Sequence, residues 1–546
     1  MRVTASYEEL KQLLRRYGSA GPLVVAENDE LFMEPLAPLN EKLIQLIWQE
    51  QLLDPTLLVT VTGKPVRIID PGRWTGERGP DFHHAEIEIG GTRFRGSIEI
   101  HLDAADWDRH QHQRDFEYNT TVLHVALFAS DHQRQDELNN GNRLERILIE
   151  SALQPALAII RRTFAAEDTS LGFPHLESNT QSVCQQSLQN IDPNLVRDFL
   201  TAAARQRVES KAARYSAQLK METADQVFYQ AIMTAMGYKG GKTLFFLLAK
   251  RVPIEELKIF LREVALTDLA VTLEAILLHT SNLVPPTPDQ AKQAPCPSAD
   301  LLGDGLVSNE ISDDASRDKY LNSIHERWQQ YQALFLDRVL PASRRWFSSV
   351  RPVNFPMRRI AGVAQLLAHF DFRRGLLQHF IFRLQDSMDR QAKTSRDFRR
   401  EIKCLAGLFE THNQTYWNDH YSFNSKQTAS SMQLIGEDRA LSVLYNAFLP
   451  LALLHAREQN RPELETYLWR LHENFPALPE NTVTRFMRRR LFGASGGMDG
   501  VTFRLEKDNQ ALFQIFHECC SDQTLSCEEC IFKAGTGMQL KPVEKC

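Results

Sequence analysis

The densest run of chemistry-bearing side chains in this 546-residue chain lies between Gly79 and His112, GPDFHHAEIEIGGTRFRGSIEIHLDAADWDRHQH. Asp81 occupies a Gly-Pro-Asp-Phe turn ahead of an alternating stretch, Ala85 to Ile89. Gly90-Gly91 ends that stretch, and a second runs from Phe94 to His101. Successive side chains of a strand point to opposite faces. Phe94, Ile98 and Ile100 therefore share one face, and Arg95, Ser97, Glu99 and His101 the other. Glu99 and His101 are neighbours on the polar face, roughly 7 Å apart by strand rise. If the two strands pair, Asp81 converges on them, and Asp, Glu and His at one sheet end can hold a divalent cation. His110-x-His112 with Asp115 follows, and seven of the 17 histidines lie between His83 and His132. One or two of these are expected to join the Asp81–Glu99 site as metal ligands or as donors to a phosphate. His83 and His84 read as turn residues. His124, on an apolar stretch, reads as a satisfied core residue.

The elements that must position these residues can be read on either side. Residues 1–39 form an N-terminal extension. Asn40 is an N-cap for a helix from Glu41 to Leu53, with Leu43, Ile44, Ile47 and Trp48 at helical spacing. A strand from Pro65 to Ile69 ends at Asp70-Pro71-Gly72. After the two strands above, the pattern predicts a short helix from Asp103 to His112. An apolar strand from Thr121 to Phe128 and a helix from Leu144 to Phe164 follow. The order is helix, three strands, helix, strand, within an α/β domain spanning residues 40–170.

That order, with an acid ahead of the second strand and Glu-x-base on the third, resembles the core of the PD-(D/E)xK nuclease superfamily. The resemblance implies a restriction-endonuclease-like αβββαβ core in which Asp81 and Glu99 hold Mg²⁺ or Mn²⁺. Glu50 on the first helix would be an auxiliary acid. The sequence departs from the superfamily at His101, which stands where a lysine is expected. A neutral imidazole can act as a base or a metal ligand but supplies no fixed positive charge. The whole chain is also similar to a large bacterial family known only by a domain-of-unknown-function label. That similarity rests on LIWQ, GPDFHHAEIEIG, GSIEIH, DWDRHQHQRDFEYN, VLHV, RQRVESKAARY, RPVNFPMRRIAGVAQLL and CCSDQTLSCEEC. It implies no activity.

From about Pro174 the patterning becomes helical. Residues 171–282 read as a helical domain with helices Leu195–Lys220, Ala224–Met236, Leu244–Lys250, Ile254–Val264 and Leu266–Leu278. Gly240-Gly241-Lys242 lacks the spacing and the preceding strand of a phosphate loop. Residues 283–317, rich in Pro, Ser, Asp and Gly, read as a linker or long surface loop. Residues 318–546 form a second helical domain closed by a cysteine cluster. Arg344, Arg345, Arg351, Arg358 and Arg359 crowd one stretch of it. On one surface they would make a patch that tracks nucleic-acid phosphates.

Four of the eight cysteines gather in the tail, Cys519, Cys520, Cys527 and Cys530. Cys527-x-x-Cys530 is a chelate spacing, and Cys520 lies seven residues upstream. Cys184, Cys519 or His517 could complete a tetrahedral set. Thiolates suit both zinc and an iron–sulfur cluster. Partial similarity to nuclease-family proteins that clamp their core with one distant and three clustered cysteines implies Cys184 as the distant one.

With 43% hydrophobic residues the chain can bury more than one core. Its net charge of -6 gives no global field for nucleic acid, so any such contact must be local. The N-terminal stretch has no apolar signal region, and no run approaches the length of a membrane span. Eight cysteines in so long a chain are not a disulfide framework, and the expectation is a reduced, cytoplasmic protein. The functional expectation is a metal-dependent nuclease acting on DNA or RNA. The alternative is a non-catalytic nucleic-acid or protein-binding scaffold on a degenerate nuclease core. The oligomeric state cannot be read from the sequence.

Overall fold

The computed structural model of the chain describes residues 7–11, 41–49, 53, 57–74, 79–130, 136–153, 184, 185, 188, 191–237, 241–285, 315–340, 344–347, 350–411, 415–493 and 501–520. The chain divides into two compact units, residues 31–168 and residues 1–30 with 169–546. The first is built on a mixed sheet, the second on helices.

In the sheet unit, helix α1 (Glu41–Gln49) buries Ile44, Ile47 and Trp48. The strands are β1 (Val66–Asp70), β2 (Arg73–Trp74), β3 (Phe82–Ile89), β4 (Thr92–Asp103) and β5 (Thr121–Phe128), then the short β6 (Asp136–Glu137), β7 (Arg143–Leu144) and β8 (Arg146–Leu148). The main sheet runs β1-β3-β4-β5-β8, with β2 also on β3, and β6 and β7 pair separately. β3 and β4 are a hairpin whose register pairs Ile89 with Thr92. The two loop residues, Gly90 and Gly91, have φ of 56° and 85°, the left-handed pair that a two-residue hairpin turn demands. β5 runs parallel to β4, and β8 parallel to β5. Parallel neighbours need a crossover, and residues 104–120 supply it between β4 and β5.

Several local expectations change. His83 and His84 belong to β3 rather than to a turn, and His84, at φ 60°, lies where the β3–β4 register shifts. The crossover is helical only over α2 (Asp106–Arg109). Gln111 then turns left-handed at φ 62°, and His112–Arg114 forms a 3₁₀ turn. The helix expected from Leu144 is replaced, over its described part, by β7, β8 and a 3₁₀ turn at Ser151–Leu153. Leu144, Ile147 and Ile149 fit either period, and pairing with β5 decides for the strand. The polar face of β4 is not open to solvent. Ser97 is 2% exposed, Glu99 6% and His101 1%.

The helical unit contains α3 (Pro193–Leu219), α4 (Ala224–Met236), α5 (Lys242–Arg251), α6 (Ile254–Phe260), α7 (Leu266–Thr280) and α8 (Ala315–Phe335). It continues with α9 (Pro356–His369), α10 (Leu376–Asp389), α11 (Ser395–Gly407), α12 (Tyr416–Asp419), α13 (Glu437–Val443), α14 (Leu449–Glu458), α15 (Pro462–Asn474), α16 (Thr482–Phe492) and α17 (Glu506–Cys519). Capping side chains begin several of them: Asp192 accepts from Asn194 N–H at α3, and Thr394 and Asp397 form a capping box at α11. One apolar core runs from Val208 on α3 to Phe475 after α15, so the helices on both sides of residues 286–314 pack together. A second core joins α3, α16 and α17. α13 and α14, joined by a π-helical turn, have the length and hydropathy of a membrane span, yet Val443, Tyr445, Ala452 and Leu453 are buried in the first core.

Candidate metal centre

The hairpin and the crossover bring four side chains to one point in the sheet unit. Glu99 and His101 come from β4, and His110 and His112 from the crossover. His101 Nε2 lies 3.2 Å from His110 Nδ1, 3.2 Å from His112 Nε2 and 3.5 Å from Glu99 Oε1. Glu99 Oε1 is also 3.4 Å from His112 Nε2. Ligand atoms of the three imidazoles lie within 4.8 Å of one another. Residues two apart lie some 7 Å apart along a strand and on nearly opposite sides of a helix. The left-handed Gln111 breaks both patterns, and His110 and His112 each come within reach of His101. Side-chain-bearing residues at positive φ are costly and concentrate at functional sites.

Around this cluster the structure builds a surround. Asp81 N–H donates to Glu99 Oε2 at 3.0 Å, leaving Oε1 toward the imidazoles. The Asp81 carboxylate accepts from Gln45 Nε2 at 2.7 Å and from Ile100 N–H at 3.0 Å, which fastens the turn to α1 and to β4. On the other side of His101, its Nδ1 is 3.0 Å from His124 Nε2. His124 Nδ1 is 2.7 Å from Asp136 Oδ2, and Arg146 reaches Asp136 Oδ1 at 3.5 Å. Trp107 and Tyr118 close the apolar wall, with the Tyr118 ring tilted against the His112 ring at 3.9 Å between centroids. His83 is bound to Ser97, which in turn meets Thr120.

The electrostatics follow from burial. Glu99 is held well above the usual carboxylate range, first by burial and then by the charge of Asp81. Burial also raises Asp81, while its bonds from Ile100 and Gln45 pull it down and Glu41 pushes it up. His101 is pulled down to about 2 by burial and then by the neighbouring histidines, and His112 to about 4. Neutral imidazoles beside carboxylates are the forms that bind a cation. Four ligands about 2.0–2.1 Å from a tetrahedral ion stand about 3.3 Å apart. The contacts of His101 with its three neighbours match that spacing. His101, His110 and His112 thus form a candidate donor set, with Glu99 Oε1 beside His101 and His112.

The candidate residues separate accordingly. Glu99, His101, His110 and His112 meet. Asp81 stands beside them and reaches the cluster through its own N–H. Asp115 caps the following 3₁₀ turn by accepting from Glu117 N–H. Glu50 lies outside the described residues. On the first helix, Glu41 is close enough for its charge to act on Asp81 and Glu99, and Gln45 holds Asp81 directly. Their i, i+4 spacing on the polar face of α1 was the available signal. The satisfied core histidine His124 is buried as expected, and it also touches the cluster.

In the helical unit, Arg358 and Arg359 do not belong to a phosphate-binding surface. Arg358 is wholly buried and donates to the carbonyls of Val353, Trp417 and His420. Arg359 is 6% exposed and donates to the Leu434 carbonyl and the Asn354 side chain. Their guanidinium groups tie α9 to the irregular chain around α12 and residues 432–434. Arg351 is exposed, and Arg344 and Arg345 begin a 3₁₀ turn. Cys184 is buried in the core between α3, α16 and α17, and Cys519 and Cys520 pack against that same core. Cys527 and Cys530 lie outside the described residues.

A helix-and-mixed-sheet unit carrying a partly buried histidine–carboxylate cluster, joined in sequence to a large helical unit, is the architecture of this protein. The family model described as "Protein of unknown function (DUF2851)" matches residues 41–481, and the chain belongs to that family. No curated protein and no solved structure matches it.

Proposed function

We propose that this protein is a metal-dependent phosphodiesterase, a nuclease, whose ion is held by Glu99, His101, His110 and His112. The observation that carries the reading is the approach of the Glu99 carboxylate and three imidazole nitrogens to one point beside Asp81. The sheet order supports it. A helix precedes an antiparallel three-strand meander, and a crossover returns the chain to a strand parallel to the third. That order supports a restriction-endonuclease-like reading, in which Asp81 just precedes the second long strand and Glu99-x-His101 lies on the third.

Imidazole at position 101 shifts the choice of ion. Nitrogen donors suit zinc and manganese better than magnesium, which prefers an oxygen shell. Bound here with a further position open to water, such an ion would lower the pKa of that water and offset charge gathering on a phosphate. The protein's own groups supply the rest. Glu99 presents one oxygen to the cluster while Asp81 N–H holds the other. Asp81 and Glu41 stand next to it as acids whose affinity for a proton burial has raised, suited to taking one from water at a carboxylate oxygen.

The test is cleavage of single- and double-stranded DNA and of RNA by the full chain with Zn²⁺, Mn²⁺ or Mg²⁺. Cleavage is expected with Mn²⁺ or Zn²⁺. Glu99→Gln, which keeps the acceptor for Asp81 N–H, should lower it by at least about a hundredfold. Nucleic-acid binding without cleavage under any of these ions would replace the nuclease by a non-catalytic scaffold.

A further inference from the structure

The buried row behind His101 has no place among the ligands, and its chemistry is directional. Asp136 as a carboxylate can only accept hydrogen bonds. His124 Nδ1, 2.7 Å from Asp136 Oδ2, must therefore carry a proton. The Asp136 charge is already answered by Arg146 on its other oxygen, at 3.5 Å, so the row does not call for a second proton on His124. His124 is 0% exposed, Asp136 4% and Arg146 4%, and no water is needed to complete the sequence of bonds. With its proton on Nδ1, His124 offers a lone pair at Nε2. That lone pair faces His101 Nδ1 at 3.0 Å, and the bond forms only if His101 carries its own proton there. His101 Nε2 is then left bare, and it is the atom that faces His110, His112 and Glu99.

We propose that Arg146, Asp136 and His124 form a positioning relay that locks His101 as its Nδ1–H tautomer and so holds Nε2 ready as a ligand. The idea deepens the metal-centre reading above and rests on it for its consequence, while the tautomer itself is a property of the metal-free protein. The sheet makes the relay. β5 supplies His124 between β4 and β8, and the β5–β8 register sets Arg146 opposite His124. Outer partners of this kind fix ring orientation and raise the basicity of the ligating nitrogen.

The experiment uses the full chain, ¹⁵N-labelled at histidine and freed of metal, with Zn²⁺ as the probe. Two-bond ¹⁵N–¹H correlations, with His101→Asn to assign the signal, should show His101 protonated on Nδ1. His124→Leu removes the acceptor and should weaken Zn²⁺ binding by about ten- to a hundredfold. His124→Gln places an amide oxygen where Nε2 stood and should restore most of that loss, which a merely space-filling role would not. Asp136→Asn offers one oxygen to two donors and should weaken Zn²⁺ binding by a similar factor, should the leucine variant fail to fold. A wild-type protein with His101 protonated on Nε2 overturns the relay, as does a folded His124→Leu or Asp136→Asn protein that binds Zn²⁺ as tightly as wild type. A wild type that shows the Nδ1 proton yet takes up no Zn²⁺ supports the relay and overturns the metal-centre reading alone.

Discussion

In the helical unit, two groups of buried polar side chains meet their opposites. Arg358 and Arg359 point N–H groups at carbonyl oxygens, Tyr320 donates to Glu274, and Gln365 donates to the other Glu274 oxygen. In the sheet unit, several atoms that can each serve as a metal ligand meet. Three imidazole nitrogens and a carboxylate oxygen crowd together, and a second acid stands behind. A single lone pair on His101 cannot bond well to all three neighbours at once. Donor facing acceptor is how a protein satisfies buried groups for stability. Acceptors facing one another cost stability until something positive lies between them. Between these two groups of residues the difference lies in how fully donors can be matched to acceptors.

The strongest way to break that contrast is to remove one group from each side. Arg358→Leu removes the guanidinium that donates to the carbonyls of Trp417 and His420 and should cost roughly 3–5 kcal/mol of unfolding free energy. Glu99→Gln should leave the metal-free protein at least as stable as wild type, because burial and Asp81 already favour the neutral carboxyl, which the amide resembles. It should abolish metal uptake. Chemical denaturation of both metal-free variants checks this, and a Glu99→Gln protein as damaged as Arg358→Leu would end the distinction.

A smaller effect tests the helical side by pH. Burial pushes the Glu274 carboxyl up to about 7, against the bonds from Tyr320 and Gln365. The folded protein keeps that proton while the unfolded chain releases it near pH 4.3. Stability from this group is therefore complete below about pH 4.3 and declines as pH rises to about 7, by up to roughly 3 kcal/mol. Glu274→Gln should remove this slope, read as the difference between wild type and variant in urea unfolding at pH 5 and pH 8. Equal slopes would mean that Glu274 is ionised throughout.

The smallest expected change is at Gln111. Glycine accepts φ of 62° without the cost a side chain adds, so Gln111→Gly should stabilise the metal-free protein by up to about 1 kcal/mol. It should loosen the two histidines and weaken metal binding. A tighter site in this variant would show that the left-handed turn does not position them.

What could be read beforehand follows the range of the interactions. Glu99-x-His101 and His110-x-His112 are local spacings, and strand alternation alone marks the first pair for one face. Which β3 residues lie opposite is decided by the Gly90-Gly91 turn, again a local signal. The relay was not legible, because it depends on parallel pairing of β4, β5 and β8 across two crossovers. β8 was further hidden by apolar residues that suit a helix equally well. Glu41 and Gln45 were missed because α1 docks on the sheet at a rotation that its apolar stripe constrains only loosely. The arginines misled for a different reason. A run of like charges looks the same in sequence whether it faces water or holds backbone carbonyls, and only the irregular chain around α12 decides between them.

The crossover that holds Gln111 has a further consequence, for folding in time. From Glu99 to His112 the four clustered residues occupy fourteen consecutive positions. An ion can therefore engage them in a chain that has no sheet at all, before β5 has been synthesised. His124, Asp136 and Arg146 emerge later, and with them the bonds that orient His101. On the metal reading proposed above, the ion's contribution to stability would be the difference between its grip on the finished fold and its grip on that short unfolded segment, smaller than the folded affinity alone suggests.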